Sequence, residues 1–227
     1  METAFIYQHI DHTLLKAVSD WEQIQILCEE AIQYHMASVC IPPSYVKRVY
    51  EAYGDKLAIC TVIGFPRGYN TTEVKKAETE QAVSEGACEV DMVVNLGDVK
   101  NGDFDRVTEE IAILKKAAGD KILKVIIETC YLTEEEKIRL CRCVSEGGAD
   151  YIKTSTGFGT AGATMEDIRL FKKHLTGQVK MKAAGGVRTR EDLEQFLKEG
   201  CSRIGTSSAI HIPVSYTHLR AHETRSN

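Results

Sequence analysis

Ala149-Asp150-Tyr151-Ile152-Lys153-Thr154-Ser155-Thr156-Gly157-Phe158 reads as a buried strand that runs into a polar, glycine-containing turn. Lys153 stands in the middle of that strand. Lysine is rarely buried without a partner. Desolvation disfavours the charged form of a buried lysine, and the neutral amine can attack a carbonyl to form a Schiff base. Taken alone, a strand lysine is better read as a snorkelling or edge residue. The flanking sequence shifts that balance.

The same strand–turn–helix signal repeats on both sides. Before the stretch, Leu123 to Glu128 is the fifth strand, and Thr133-x-x-Glu136 is a capping box opening a helix that stops at Gly147-Gly148. After it, Thr164-x-x-Asp167 caps a helix carrying Ile168, Phe171 and Leu175. Val179 to Ala184 is then the seventh strand and holds Lys182. Thr189-x-x-Asp192 caps the next helix, and Arg203 to Thr206 is the eighth strand. Toward the N-terminus the strands are Ile10 to Leu14, Ser38 to Ile41, Ala58 to Phe65 and Glu89 to Asn95. Ser19-x-x-Glu22 caps the first helix between them. Ile59-Cys60-Thr61-Val62-Ile63 is apolar or β-branched throughout, as in a strand covered on both faces. Strand starts recur at roughly 20 to 35 residues, the length of a βαβ crossover. Eight such units predict an α/β fold, a closed (β/α)8 TIM barrel. An open doubly wound sheet would carry a glycine-rich fingerprint in its first βα turn, and the turn after Leu14 has no glycine.

The chain of 227 residues, with 43% hydrophobic content, suits one domain with a full core. Its net charge of −5 carries no block of like charge, so no nucleic-acid partner is expected. No apolar run is long enough to span a membrane. Met1-Glu2-Thr3-Ala4 lacks the basic and apolar regions of a signal peptide, so a cytoplasmic location is expected. The eight scattered cysteines read as reduced core thiols. The close pair Cys141 and Cys143 diverges on a helix, against a metal or redox role.

In a barrel of this kind active residues sit at the C-terminal ends of strands. Asp91, Glu128, Lys153 and Lys182 fall in otherwise apolar strands four to seven, where an interior charge is costly unless paired. A buried ion-pair network without chemistry explains any one of them as well as function does. It explains all four together less well. A second cation at Lys182 would lower the pKa of Lys153 further and activate it. Glu128 has the plainer role of neutralising the lysines. Glycine turns at Thr156-Gly157, Gly185-Gly186-Val187 and Gly205-Thr206-Ser207-Ser208 let backbone N–H groups approach an anion, although each glycine alone could serve only positive φ. Cys40 alone reads as a small core residue. His12 follows Asp11 and points to the opposite face, toward a helix.

These stretches, with Ile10-Asp11-His12-Thr13-Leu14-Leu15, Val62-Ile63-Gly64-Phe65-Pro66, Glu89 to Asn95 and Lys182 to Thr189, resemble the deoxyribose-phosphate aldolase family from about Tyr7 to Ala209. The resemblance implies a class I aldolase. It would reversibly cleave 2-deoxy-D-ribose 5-phosphate to acetaldehyde and D-glyceraldehyde 3-phosphate, in deoxyribose phosphate catabolism. It implies Lys153 as Schiff-base nucleophile, Lys182 as the tuner of its pKa and Asp91 as a proton relay through water. Gly157, Gly185, Gly186, Gly205, Ser207 and Ser208 would hold the phosphate, with Thr156 in the same turn. Asp11, Thr13 and Cys40 would line the pocket near the hydroxyls and the small aldehyde. No metal and no cofactor is expected, and a homodimer is the expected assembly. A phosphosugar-binding protein without turnover is the reading from another class, and a ketone-using Schiff-base aldolase is the nearer alternative.

The resemblance stops after Ala209. The barrel domain is therefore placed at 1–209 and an atypical tail at 210–227. Pro213 would disrupt a helix interior, and the tail holds three of the seven histidines. The last helix is expected to be missing or replaced, the tail to be foreign or disordered, and the outer faces of strands one and eight to be exposed.

Overall fold

A computed structural model of the chain describes residues 1–210. Eight parallel strands close into one barrel in sequence order, β1 pairing with β8. They are β1 (Ile10–Thr13), β2 (Ser38–Ile41), β3 (Ile59–Ile63), β4 (Glu89–Val93), β5 (Ile122–Ile126), β6 (Tyr151–Lys153), β7 (Lys180–Ala184) and β8 (Arg203–Thr206). Seven helices fill the β1-to-β8 crossovers in the expected places: α2 (Trp21–Gln33), α3 (Val46–Tyr53), α4 (Thr72–Ser84), α6 (Phe104–Ala118), α7 (Glu134–Glu146), α8 (Met165–His174) and α9 (Arg190–Glu199). Two more were not expected: α1 (Thr3–Tyr7) ahead of β1, and α5 (Leu96–Asn101) between β4 and α6. The expected loss of a final helix and the tail concern residues 211–227, which lie outside the described residues.

Alternation along the strands divides the interior in two. Ile10, Val39, Ile41, Ile59, Val90, Met92, Leu123, Val125, Ile152, Ala183 and Ile204 join Ile24, Leu27, Ile111, Leu140 and Phe171 of the helices in the main core. The opposite residues face the barrel axis. Cys40, Cys60 and Val62 make a small separate apolar cluster there, against Leu15 and Phe65. The rest of the axial set is largely charged.

Local signals account for most helix starts. Thr133 and Thr189 make full capping boxes with Glu136 and Asp192. Thr164 caps α8 through the Asp167 N–H alone, because the Asp167 carboxylate is bound to Lys137 at 2.6 Å. The box expected at Ser19 sits one residue later. Asp20 accepts from Gln23 N at 3.0 Å, and Gln23 Oε1 accepts from Asp20 N at 3.3 Å. Lys153 is the last residue of β6 rather than its middle, which brings it to the barrel mouth. Glu128 lies beyond β5 altogether, with a left-handed backbone at φ 54°.

Candidate active site

Strand register brings the charges together. Asp91 lies beside Lys124 on β5, Lys153 beside Lys182 on β7, and Lys182 beside Arg203 on β8. Barrel curvature then aims these side chains at one axis. Lys153 Nζ and Lys182 Nζ each donate to Asp91 Oδ2 at 2.8 Å. Lys124 Nζ donates to Asp91 Oδ1 at 2.9 Å and pairs with Glu89 at 2.6 Å. Asp11 pairs with Lys182 and Arg203 and accepts from Ser38 Oγ at 2.8 Å. Arg203 also bridges to Glu89 through Nη1 at 2.9 Å and Nη2 at 2.7 Å. Four basic side chains therefore meet three carboxylates, and among them Lys124, Lys182, Asp11 and Asp91 are sealed at 0% exposure.

That environment fixes protonation. Burial would raise the Asp91 pKa, but the ammonium groups of Lys124, Lys153 and Lys182 hold it well below the carboxylate range. Asp11 is held down against burial by Lys124, Lys182 and Arg203. Burial would strip Lys182 of its proton, but Asp11 and Asp91 hold its pKa above the ordinary lysine range. Lys124 is held up in the same way by Asp11 and Asp91. Burial first, then Cys40 and Asp91, keep the Cys60 thiol protonated, and it donates to Asp91 Oδ1 at 3.2 Å.

Above this network lies a cleft of about 280 Å³ lined by Thr13, Lys153, Thr156, Gly157, Gly185, Gly186, Gly205, Ser207 and Ser208, with Lys16 and Arg188 at its rim. Nine sequence-predicted residues thus meet in one cavity. Asp91 and Lys182 lie beneath its floor. Of the three lysines on Asp91, Lys153 alone opens into the cleft, while Lys124 and Lys182 are sealed at 0% exposure. Gly157, Gly185 and Gly186 have φ of 87°, 81° and 73°. Among the described residues, the N–H groups of Gly157, Gly185, Gly186 and Ser207 donate to no protein acceptor. Unpaired N–H groups on residues that line one cavity offer a candidate cradle for an anion. Gly205 has a packing reason as well: a Cβ there would stand 3.3 Å from Lys182 Cε and 3.1 Å from Ala184 Cβ.

Some expectations need correction. Asp11 and Cys40 do not line the cleft. Asp11 is spent inside the charge network, and Cys40 packs on Cys60 and Val62. Glu128 does not neutralise the lysines. Its backbone turns the carboxylate to Thr156, accepting from N at 3.1 Å and from Oγ1 at 2.5 Å. His12 faces α2 as expected, with Nε2 2.7 Å from Glu30 Oε2. Sequence reading assigned no role to Lys124, Glu89 or Arg203. Period-two spacing from Asp91, Ile126 and Gly205 was the available signal. Lys16 and Arg188 on the rim had none. Cys40, Cys60 and Asp91 bring donor atoms within 4.8 Å of one another. Both Asp91 oxygens already accept from ammonium groups, whose charges oppose a cation there.

A closed (β/α)8 barrel with an amine at its mouth and an anion cradle beside it is the frame of an aldolase, and comparison with known proteins agrees. The chain belongs to the DeoC/LacD family of aldolases, whose family model matches residues 5–210. It is an enzyme, a carbon–carbon lyase. A deoxyribose-phosphate aldolase of Clostridium botulinum (strain Alaska E43 / Type E3) is 63% identical over 210 residues, covering 92% of this chain and 95% of the relative. One from Clostridioides difficile (strain 630) is 58% identical over 207 residues, covering 91% and 94%. The solved tetrameric deoxyribose phosphate aldolase from Aeropyrum pernix superposes with a TM-score of 0.89 at 28% identity, covering 96% of this chain and 93% of that one. Among the described residues, no helix is long and apolar enough to cross a membrane.

Proposed function

We propose that this chain reversibly cleaves 2-deoxy-D-ribose 5-phosphate to acetaldehyde and D-glyceraldehyde 3-phosphate through a Schiff base on Lys153. One observation carries the choice of nucleophile: Lys153 is the only member of the three-lysine cluster that lines the cleft. The substrate phosphate lies in the glycine cradle, and the exposed Lys16 and Arg188 at the rim add attraction for a dianion. The amine attacks the open-chain aldehyde carbon, and loss of water gives an iminium. The proton of the C3 hydroxyl leaves, the C2–C3 bond breaks into the iminium, and the phosphorylated aldehyde departs. The enamine takes a proton at C2, and water releases acetaldehyde.

Asp91 is the proton conduit in this scheme, its Oδ2 lying 2.8 Å from both nitrogens. A water between Asp91 and the substrate completes the relay. Lys182 keeps its own proton and supplies the fixed positive charge beside Lys153, the tuning role assigned to it. Thr13 lies on the wall near the substrate hydroxyls. Ser207 and Ser208 close the phosphate end. The reading includes a cytoplasmic homodimer, which analytical ultracentrifugation of the intact chain checks.

Borohydride trapping with acetaldehyde followed by peptide mass spectrometry tests the chemistry. A two-carbon adduct on Lys153, absent from Lys153→Ala and unaffected by chelator, is the expected result. Adducts formed with a ketone donor in preference to acetaldehyde would favour a different Schiff-base aldolase. Phosphosugar binding with no adduct on folded protein would leave a binding protein.

A further inference from the structure

Glu128 is one of two non-glycine residues with positive φ among the described residues, at 54°. Such a backbone is sparsely populated for a side chain of this size. It follows β5 and is buried. The turn throws its carboxylate across to the segment after β6. There Oε1 accepts from Thr156 N at 3.1 Å and Oε2 accepts from Thr156 Oγ1 at 2.5 Å. Thr156 Oγ1 in turn accepts from Phe158 N at 3.0 Å. A hydroxyl has one proton to give, and that of Thr156 is committed to Glu128. A phosphate dianion only accepts hydrogen bonds. Thr156 therefore serves such a ligand through the shape of its turn, and the donor the turn presents is the unpaired N–H of Gly157.

The same segment is fastened again further on. Ala163 N donates to Gly185 O at 3.1 Å. A Cβ on Gly159 would stand 3.1 Å from Glu128 Cδ, and one on Gly185 would stand 3.6 Å from Gly157 Cα. The two cradle glycines from β6 and β7 are thus held against each other, and Glu128 fixes the β6 side.

We propose that Glu128 is a positioning residue for the anionic end of the substrate. It holds the Thr156–Gly157 turn so that the Gly157 N–H faces the cleft. The inference rests on the cradle being the phosphate site of the proposed reaction.

Glu128→Gln keeps the shape but weakens the charge-assisted bonds. Its KM for 2-deoxy-D-ribose 5-phosphate is expected to rise roughly tenfold, the effect of one such bond, with kcat changed less than about threefold. Calorimetric binding of inorganic phosphate to the full chain weakens by the same factor. Cleavage of unphosphorylated 2-deoxy-D-ribose does not fall in step. In a Thr156→Val background, which removes the hydroxyl partner, the effect of Glu128→Gln shrinks. Glu128→Asp restores part of the phosphate affinity. Equal losses on both sugars with a lowered melting temperature mark a structural role and overturn the inference. So does an unchanged phosphate affinity, or a full Glu128→Gln effect in the Thr156→Val background. If the wild-type chain binds phosphate but does not cleave the phosphorylated sugar, the proposed reaction fails. The phosphate titration then still decides the role of Glu128.

Discussion

Asp91 is itself sealed from solvent and accepts from three ammonium groups, so its charge holds the barrel interior together, and in the proposed reaction it also carries the proton. Asp91→Asn removes the carboxylate that the three lysines share: Lys124 keeps Glu89 and Lys182 keeps Asp11, but Lys153 loses its counter-charge. Breaking a buried pair from one side costs about 3–5 kcal/mol, and loss of a proton carrier costs about 10²–10⁴-fold in rate. Urea unfolding should show the first and a cleavage assay the second. A variant of native stability and full activity would remove Asp91 from both roles. At this scale the sequence displayed the residue types: carboxylate and lysine in apolar strands are anomalies that burial cost makes visible. It did not display their partners. Asp91 and Lys124 are neighbours only through strand register, and Asp11 meets Lys182 only because β1 closes on β8.

Helices α7 and α9 start where the sequence says, because a cap is a contact between residues three apart. Thr133→Ala removes the side-chain acceptor for Glu136 N, at 3.2 Å. It should cost about 1 kcal/mol, lowering the melting temperature by about 2–4 °C for a chain of this size. An unchanged melting curve would mean that the first turn of α7 is held by packing alone. Other element-level features were hidden. Lys75 of α4 is sealed at 0% exposure, donates to Val93 O at 2.8 Å and pairs with Glu110 of α6 at 2.9 Å. It ties two helices to the end of β4, and nothing in the α4 pattern distinguishes it from a solvated lysine. Glu128 was placed inside β5 because β-branched residues lead up to it. Its left-handed backbone is decided by what lies across the gap on the β6 loop.

Titration of the whole molecule follows from burial. Asp11 and Asp91 are held below their usual range. The unfolded chain therefore binds more protons in acid, and their stabilisation is complete above about pH 5 and lost as pH falls through the folded values. His12 is pulled down by burial against its bond to Glu30, which adds a loss below about pH 6.5. Burial pushes the thiols of Cys28, Cys141 and Cys201 up to about 12. The unfolded chain releases those protons first, so stabilisation is complete below about pH 8.5 and lost as pH rises toward 12. The raised Lys124 and Lys182 act in the same direction above about pH 10. Melting temperature against pH should therefore show a plateau from about pH 7 to 8.5 with losses on both sides. A rise above pH 10 would contradict the burial of the thiols and the pairing of the lysines. The sequence by itself determined the barrel and the order of its elements, and it singled out Lys153 as a candidate nucleophile and the glycine turns as a candidate anion site. Those rest on periodicity, caps and residue types, which act over a few neighbouring positions. The tertiary structure alone decided which lysine opens to the cleft, that Asp11 and Cys40 lie beneath it, and that Glu128 binds the Thr156 turn rather than the lysines. Those depend on register, closure and burial, which bring together residues as far apart as Asp91 and Lys182.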